Sequence, residues 1–150
     1  MIYFILVIGI IVIDQLSKYY AEMLLYGKES YKLINGVFHL TYARNTGAAF
    51  SIFRGNQIFL KSITIIVMLF LVFYLFRLTR KKGQILFKIS LAFILAGGIG
   101  NLIDRIRLDY VIDFFNFTLI HFAIFNVADS FVVVGTILLG YLLLFNKVEI

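Results

Sequence analysis

Two aspartates in the last third of the chain are the residues whose type and setting could do chemistry. Asp113 lies in the segment Val-Ile-Asp-Phe (111–114), and Asp129 lies in Phe-Asn-Val-Ala-Asp-Ser (125–130), at the start of an apolar run. Two carboxylates held close together share a proton near neutral pH, because both cannot ionise cheaply. One can then act as a base on water, while the other polarises a carbonyl and protonates the departing amine. Such a pair is suited to peptide hydrolysis and titrates as a unit, so base and acid are not assigned to either residue.

Asp129 also has a structural interpretation. Asn126 can cap the helix that the apolar run predicts, and Asp129 falls three residues later, in the first turn. This arrangement is a capping box with Asp in place of Glu, and the helix dipole favours the charge. From the residues alone, capping and catalysis both stay open for Asp129.

Other catalytic groups are weaker candidates. The chain has no cysteine, which excludes disulfides, thiolate metal sites and a cysteine nucleophile. His39 and His121 are far apart and have no convincing triad or metal-site context. We interpret His121 as an interfacial packing residue, and a metal site on two distant histidines is only weakly supported.

The composition predicts one integral membrane domain. Of 150 residues, 62% are hydrophobic and 15% are charged, and the mean hydropathy is +0.99. A soluble domain of this size could not bury so much apolar surface, whereas lipid solvates it. The net charge of +6 then favours contact with anionic lipid, and nothing in the sequence indicates a nucleic-acid surface.

Four apolar segments predict transmembrane helices at about 2–25, 57–78, 85–104 and 127–146. The short loop between the second and third helices is basic, and basic loops stay in the cytoplasm. Both termini, with Lys147, are then cytoplasmic, and the acid-rich segment lies on the opposite side. This topology predicts that four polar residues meet at the extracytoplasmic interface: Asn45, Asp104, Asp113 and Asp129. Capping alone would not explain why both Asp113 and Asp129 lie there.

The segment 27–56 is too polar to span a membrane and predicts a small extracytoplasmic β insertion. Two apolar stretches, 31–34 and 37–42, flank Asn35-Gly36, a dipeptide typical of a type I′ hairpin turn. Arg-Asn-Thr-Gly-Ala-Ala-Phe-Ser (44–51) follows, with small residues that permit close backbone approach. On spacing alone it is a loop that returns to the bilayer. The fold class is therefore an all-α membrane protein of four helices with a β-hairpin or sheet insertion.

Charges inside the predicted helices need an explanation of their own. Asp14 and Lys18 are four residues apart on one face of the first helix. An intramembrane charge is a functional hypothesis by default, but a structural ion pair with Lys18 snorkelling outward is an equal alternative. Asp104 and Arg105 end the third predicted helix, where a helix-end salt bridge competes with a role at the site.

Five motifs, taken in order, resemble those of the bacterial lipoprotein signal peptidases, also called signal peptidase II. The segments that carry the resemblance are Asp-Gln-Leu-Ser-Lys (14–18), Arg-Asn-Thr-Gly-Ala-Ala-Phe-Ser (44–51), Gly-Asn-Leu-Ile-Asp-Arg (100–105), Val-Ile-Asp-Phe (111–114) and Phe-Asn-Val-Ala-Asp-Ser (125–130). Any one of them alone would be weak, but five in order make a strong signal.

The resemblance implies an intramembrane aspartyl protease of the bacterial cytoplasmic membrane. It would remove the signal peptide from lipid-modified prolipoproteins, cutting before the diacylglyceryl cysteine. Asp113 and Asp129 match the catalytic positions. The other matching positions are Asp14, Lys18, Asn45, Gly47, Asn101, Asp104, Arg105 and Asn126. The family needs no metal or organic cofactor and is inhibited by globomycin, and we expect a monomer in contact with membrane lipid.

The rival hypothesis from another class is a small four-helix transporter or proton-conducting protein, with a non-enzymatic scaffold as a third, weaker one. Asp14 and the pair Asp104 and Arg105 would suit a polar pathway across the membrane. The two hypotheses differ in the residue that matters most: Asp113 and Asp129 for a protease, and Asp14 for a proton path.

Overall fold

The structure is a computed structural model that describes residues 1–47, 55–120 and 122–145. Three features named above lie outside these residues: part of the small-residue motif (48–51), His121 and Lys147. Four helices and three strands make up the described chain, in the order α1 (Ile2–Leu25), β1 (Tyr31–Ile34), β2 (Phe38–Asn45), α2 (Gln57–Thr79), α3 (Ile85–Leu108), β3 (Val111–Phe117) and α4 (Val127–Phe145).

All four helices are long and apolar enough to cross a membrane, as their segments predict. The sequence contains no proline, so nothing interrupts their backbone hydrogen bonds. α3 continues four residues beyond its predicted end, to Leu108, and Asp109 ends it in the left-handed conformation with φ 64°. Asp104 and Arg105 are therefore both within the last helical turns and face different neighbours.

α3 is the central helix. It buries 56% of its most apolar stretch, whereas the other three helices bury 17–22% of theirs. The core between the helices is formed by side chains such as Ile10, Leu75, Leu91 and Leu142. The surfaces that face away from α3 remain apolar and exposed, as lipid contact requires.

Glycines set the distance between α3 and its neighbours. A methyl group on Gly97 would collide with the backbone carbonyl of Ala128 in α4, and one on Gly135 would come within 2.8 Å of the Ser90 carbonyl. A methyl group on Gly98 would meet only the flexible side chain of Met68 in α2. Small residues therefore let α3 and α4 pack backbone against backbone, as is common in lipid.

The strands form one antiparallel sheet in the order β1-β2-β3. β3 was not predicted: its segment was expected only to be an aromatic stretch at the membrane interface. That stretch is the segment 110–125, which is aromatic and too short and broken to span a membrane. β3 pairs with β2 so that Ala43 lies opposite Asp113 and Asn45 opposite Val111. The first four residues of β3 are buried, because the strand lies between β2 and the ends of α1 and α3.

The hairpin turn differs from the predicted type. A type I′ turn needs a positive φ at both central residues, but Gly36 has φ 73° while Asn35 is not in the positive region. The Val37 amide donates to the Ile34 carbonyl at 3.0 Å, and Ile34 pairs with Phe38. The connection is a three-residue loop with glycine in the left-handed position, so the prediction of type I′ was wrong although the hairpin itself is present.

Gly97→Ala should destabilise the protein, because the new methyl group meets a backbone carbonyl that cannot move aside without separating α3 from α4. Overpacking of this kind costs about 1–3 kcal/mol. The matched control is Gly140→Ala in α4, where a methyl group meets nothing within 4 Å. Thermal unfolding in detergent should show a lower Tm for Gly97→Ala and an unchanged or higher Tm for Gly140→Ala. Equal Tm values for the two variants would contradict the packing described.

Candidate active site

A buried lysine lies at the centre of the polar residues between α1 and α3. Lys18 is 2% exposed, and its ammonium lies 2.9 Å from an Asp14 oxygen and 3.0 Å from an Asp104 oxygen. It also donates to the side-chain oxygen of Asn101 at 2.9 Å. An ammonium group has three donors, so Lys18 is fully satisfied. The ion pair with Asp14, which the sequence left open as one of two alternatives, is present, but Lys18 does not snorkel outward because its side chain points into the protein.

Asp104 and Arg105 do not form the helix-end salt bridge that the sequence allowed. Asp104 faces Lys18 and also accepts from the backbone amide of Ile112 at 3.2 Å. Adjacent helical residues point in different directions, and Arg105 instead donates to the Gly47 carbonyl at 2.9 Å. The two residues thus hold different parts of the chain: Asp104 fixes the start of β3, and Arg105 holds Gly47, just after β2.

Asp14 joins α1 to the first turn of α4. Its second carboxylate oxygen accepts from the Ala128 amide at 2.9 Å. A carboxylate is stabilised at this position because the amides at a helix N-terminus lack intrahelical partners. Gly100 permits the approach, since a methyl group there would come within 2.6 Å of Asp14.

Asn101 lies between Lys18 and Asp129 and forms a hydrogen bond with each. Because Lys18 can only donate, Asn101 presents its oxygen to the ammonium, and its amide nitrogen is left to donate to Asp129 Oδ1 at 2.8 Å. The Asn126 side-chain nitrogen donates to the same Asn101 oxygen at 3.0 Å, so two donors fix the orientation of this amide.

Asn126 links the two candidate acids. Its side-chain oxygen accepts from the Asp129 amide at 2.8 Å, while its own backbone amide donates to Asp129 Oδ2 at 3.2 Å. This reciprocal pair is the capping box that the sequence predicted. The Asn126 side-chain nitrogen is then left to donate to Asp113 Oδ1 at 2.7 Å.

Asp113 is held from both sides. Asn126 donates to one carboxylate oxygen, and Asn45 on the neighbouring strand donates to the other at 3.0 Å. The Asn45 side-chain oxygen accepts from the Gly47 amide at 2.9 Å, which again leaves its nitrogen as the donor. Asp113 is 2% exposed. Burial, and secondly the negative charge of Asp129, raise the pKa of Asp113 from 3.8 to about 7.

Both aspartates line one cavity of about 720 Å³. Its polar wall includes Asn45, Asn101 and Arg105. Its apolar wall is formed by Val111 of β3, the segment 122–125 and three valines of α4, and two of these, Val133 and Val134, are more than half exposed on the lipid-facing surface. The cavity therefore extends from the acids to the region that lipid occupies. Within the described ranges, no three histidine, aspartate or glutamate side chains are grouped to hold a metal ion.

All ten residues named from the sequence lie in or next to this cluster, but three contributions were not foreseen. Gln15 donates to Asp104 at 3.0 Å and to the Gly100 carbonyl at 3.2 Å. The Ile112 amide completes the contacts of Asp104. Gln57, at the start of α2, donates to the Thr46 carbonyl at 2.5 Å. Gln15 could have been predicted, because it is a polar residue beside Asp14 in an apolar segment. The Ile112 amide could not, because every residue except proline has a backbone amide.

Comparison with known proteins identifies a family that the chain matches. The model of a family described as signal peptidase (SPase) II matches residues 6–145. The lipoprotein signal peptidase of Caldanaerobacter subterraneus subsp. tengcongensis is 45% identical over 142 residues, which cover 95% of each chain. That of Clostridioides difficile (strain 630) is 43% identical over 146 residues, covering 97% of this chain and 96% of the relative.

Solved structures resemble the whole chain. One, described as a bacterial membrane enzyme solved by the in meso method at 2.3 Å resolution, has a TM-score of 0.85 and 30% identity, and the match covers 99% of this chain and 92% of that one. A second, at 1.9 Å resolution, has a TM-score of 0.82 and 30% identity over 97% of this chain and 94% of its own.

The raised pKa of Asp113 predicts that stability falls as pH rises. Between about pH 4 and about pH 7 the folded protein keeps the proton that the unfolded chain loses. The free energy of unfolding therefore falls by up to about 1.4 kcal/mol for each pH unit. Above about 7 both states are ionised at this residue and the contribution is constant. Unfolding in detergent between about pH 5 and about pH 8 should show this fall, and Asp113→Asn should reduce it. Asp109→Asn, at an exposed carboxylate, is the control and should keep it. The same pH slope in all three proteins would contradict the assignment.

Lys18→Met should be strongly destabilising, because it leaves Asp14 and Asp104 buried without a counter-charge. Removing one partner of a buried ion pair costs about 3–5 kcal/mol. The control is Lys61→Met, which breaks an ion pair with Asp109 whose side chains are 26% and 73% exposed. Exposed pairs contribute about 0–1 kcal/mol, so unfolding in detergent should separate the variants clearly. A small loss for Lys18→Met would show that the cluster does not need its cation.

Proposed function

The chain belongs to the signal peptidase II family, and from that premise we propose that it removes the signal peptide from diacylglyceryl-modified prolipoproteins, cutting before the lipidated cysteine. Asp113 and Asp129 activate the attacking water. The observation that carries this proposal is that one residue, Asn126, holds both carboxylates at the wall of one cavity.

The chemistry proceeds with one proton shared by the two acids. The ionised carboxylate takes a proton from water, whose oxygen forms a bond to the scissile carbonyl carbon. The protonated acid donates a hydrogen bond to the carbonyl oxygen and then supplies the proton with which the amine departs as the C–N bond breaks. A pKa of about 7 for Asp113 supports this sharing, because one proton remains on the pair near neutral pH.

Fixed hydrogen bonds support the positions of the two acids. Asn45 and Asn126 approach Asp113 from opposite sides, and Asn101 approaches Asp129. The side-chain oxygen of each of these amides accepts a hydrogen bond from a group that can only donate, so the side-chain nitrogen must face the carboxylate. The carboxylates are therefore held before substrate arrives, which lowers the cost of reaching the transition state.

The lipid-facing opening of the cavity suits a substrate anchored in the bilayer. Diacylglyceryl chains can stay in lipid beside Val133 and Val134 while the peptide bond reaches the acids. Arg105 lines the cavity, and its Nε has no hydrogen-bond partner among the described residues. We place Arg105 and Gly47 beside the part of the cavity that binds the signal peptide. There they shape the cavity without taking part in proton transfer.

The proposed orientation of the protein in the membrane follows from the positions of its basic residues. The basic turn between α2 and α3 lies in the cytoplasm, so both termini of this multi-pass bacterial membrane protein do too, and the aspartates work at the extracytoplasmic interface. A monomer contains the complete site, and globomycin-type inhibitors would occupy the same cavity.

A proton path through Asp14 is less well supported. Asp14 is 0% exposed, and its oxygens are occupied by Lys18, Gln15 and the Ala128 amide. A group that carries protons must exchange these contacts during each transfer, whereas here they connect α1 to α4.

Asp113→Asn and Asp129→Asn should each abolish cleavage of a lipid-modified prolipoprotein by the detergent-purified protein. General acid–base groups contribute about 10²–10⁴-fold, so the loss should be at least about a hundredfold. The asparagine at 129 keeps an oxygen for the Asn126 amide, and the helix cap should survive. Loss of the signal peptide on a gel measures the reaction, and Asp109→Asn is the control that should cleave normally. Full activity of Asp129→Asn would show that Asp129 only caps α4. No cleavage by the native protein, with a substrate that another peptidase accepts, would overturn the proposal.

A further inference from the structure

The end of the bundle opposite the aspartates carries only positive charge in the described chain. The turn between α2 and α3 and its flanks contain Arg77, Arg80, Lys81, Lys82 and Lys88, and no acidic residue occurs between Glu29 and Asp104. α1 and α3 begin at this end, where the Lys88 ammonium lies 5.9 Å from the Tyr3 ring. Neither helix has an acid in its first turn, so no described side chain at this end offsets the basic ones.

A groove on α2 brings two of these cations to an apolar wall. It has a volume of about 260 Å³ and is lined by Phe73, Tyr74, Arg77, Leu78 and Lys81. Arg77 lies in the last turn of α2 and Lys81 in the turn that follows. Both line the groove, where their like charges repel. Neither side chain forms an ion pair with a carboxylate of the described residues.

Lys88 fixes the shape of this groove from α3. Its side chain is buried, 4% exposed, and its ammonium donates to the Lys81 carbonyl at 2.6 Å. No described carboxylate lies within ion-pair distance of it. A buried charge without a counter-charge is costly, and here it adds a third cation behind the two that line the groove.

Two simpler explanations account for part of this pattern. Basic residues orient a membrane protein, and Arg77 in the last turn of α2 is favoured by the helix dipole. Both would be served by any basic residues in the turn, including Arg80 and Lys82, which do not line the groove. Neither explains why Arg77 and Lys81 share a concave surface with Phe73, Tyr74 and Leu78.

We propose that this groove binds an anionic phospholipid of the adjoining leaflet. The phosphate lies between the side chains of Arg77 and Lys81, whose mutual repulsion it relieves, and one acyl chain lies along Phe73 and Tyr74. Basic pockets between transmembrane helices near a membrane surface bind anionic headgroups in this way, and the site is independent of the peptidase reaction.

The test is lipid retention by the purified full chain. The protein is exchanged into detergent with equal amounts of phosphatidylglycerol and phosphatidylcholine, and bound lipid is counted by native mass spectrometry. The groove variant is Arg77→Gln/Lys81→Gln. The matched control, Arg80→Gln/Lys82→Gln, removes the same charge from the same turn outside the groove. A cooperative thermal unfolding transition, and peptide cleavage, to which these residues do not contribute, confirm that both variants are folded.

The native protein should retain phosphatidylglycerol in preference to phosphatidylcholine, and the groove variant should lose roughly tenfold or more of that preference while the control keeps it. Equal loss in both variants would mean that the overall charge of this end attracts lipid, and the groove would not be a site. No loss in either variant, or no preference in the native protein, would overturn the proposal. Displacement of the lipid by inorganic phosphate would also overturn it, since the groove would then bind a free anion.

Discussion

The structure depends on one buried ammonium group. Lys18 is the only partner of Asp104 and Asp14 that carries positive charge among the described residues, and these two carboxylates hold β3 and α4 in place. Without Lys18, the two acids that connect the elements would repel each other at the centre of the bundle. The same ammonium orients the Asn101 amide toward Asp129. Lys18 thus helps to orient one hydrogen bond to a candidate catalytic carboxylate that it does not touch.

Capping and catalysis are compatible at Asp129. The cap uses Oδ2 and the backbone amide, while Asn101 donates to Oδ1. The capping box fixes the carboxylate at the first turn of α4, and the same contact orients Asn126 toward Asp113. The capping role of Asp129 therefore supplies the geometry that the proposed chemical role would require, and the two roles do not exclude each other.

The sequence predicted the helices, the hairpin and a set of polar residues that the fold brings into one cluster, because apolar length and short motifs are local signals. It did not predict β3, whose broken aromatic pattern becomes a strand only when β2 pairs with it. It also left open whether Lys18 points outward, since both directions satisfy the spacing of α1 and only the buried carboxylate of Asp104, more than eighty residues away, decides it. Long-range partners determine which of several locally allowed arrangements forms.

α2 shows how the protein separates support from chemistry. Among the described residues, none of α2 lines the cavity that contains the aspartates, and the helix packs on α3 where a flexible methionine, Met68, meets Gly98. Its link to the site is at its first residue, where Gln57 holds the Thr46 carbonyl beside Asn45. A small shift of α2 would therefore move the Thr46 carbonyl and leave the cluster around Lys18 unchanged. Because the lipid groove lies at the far end of the same helix, an anionic lipid bound there would fix the depth of α2 in the membrane without altering the two acids.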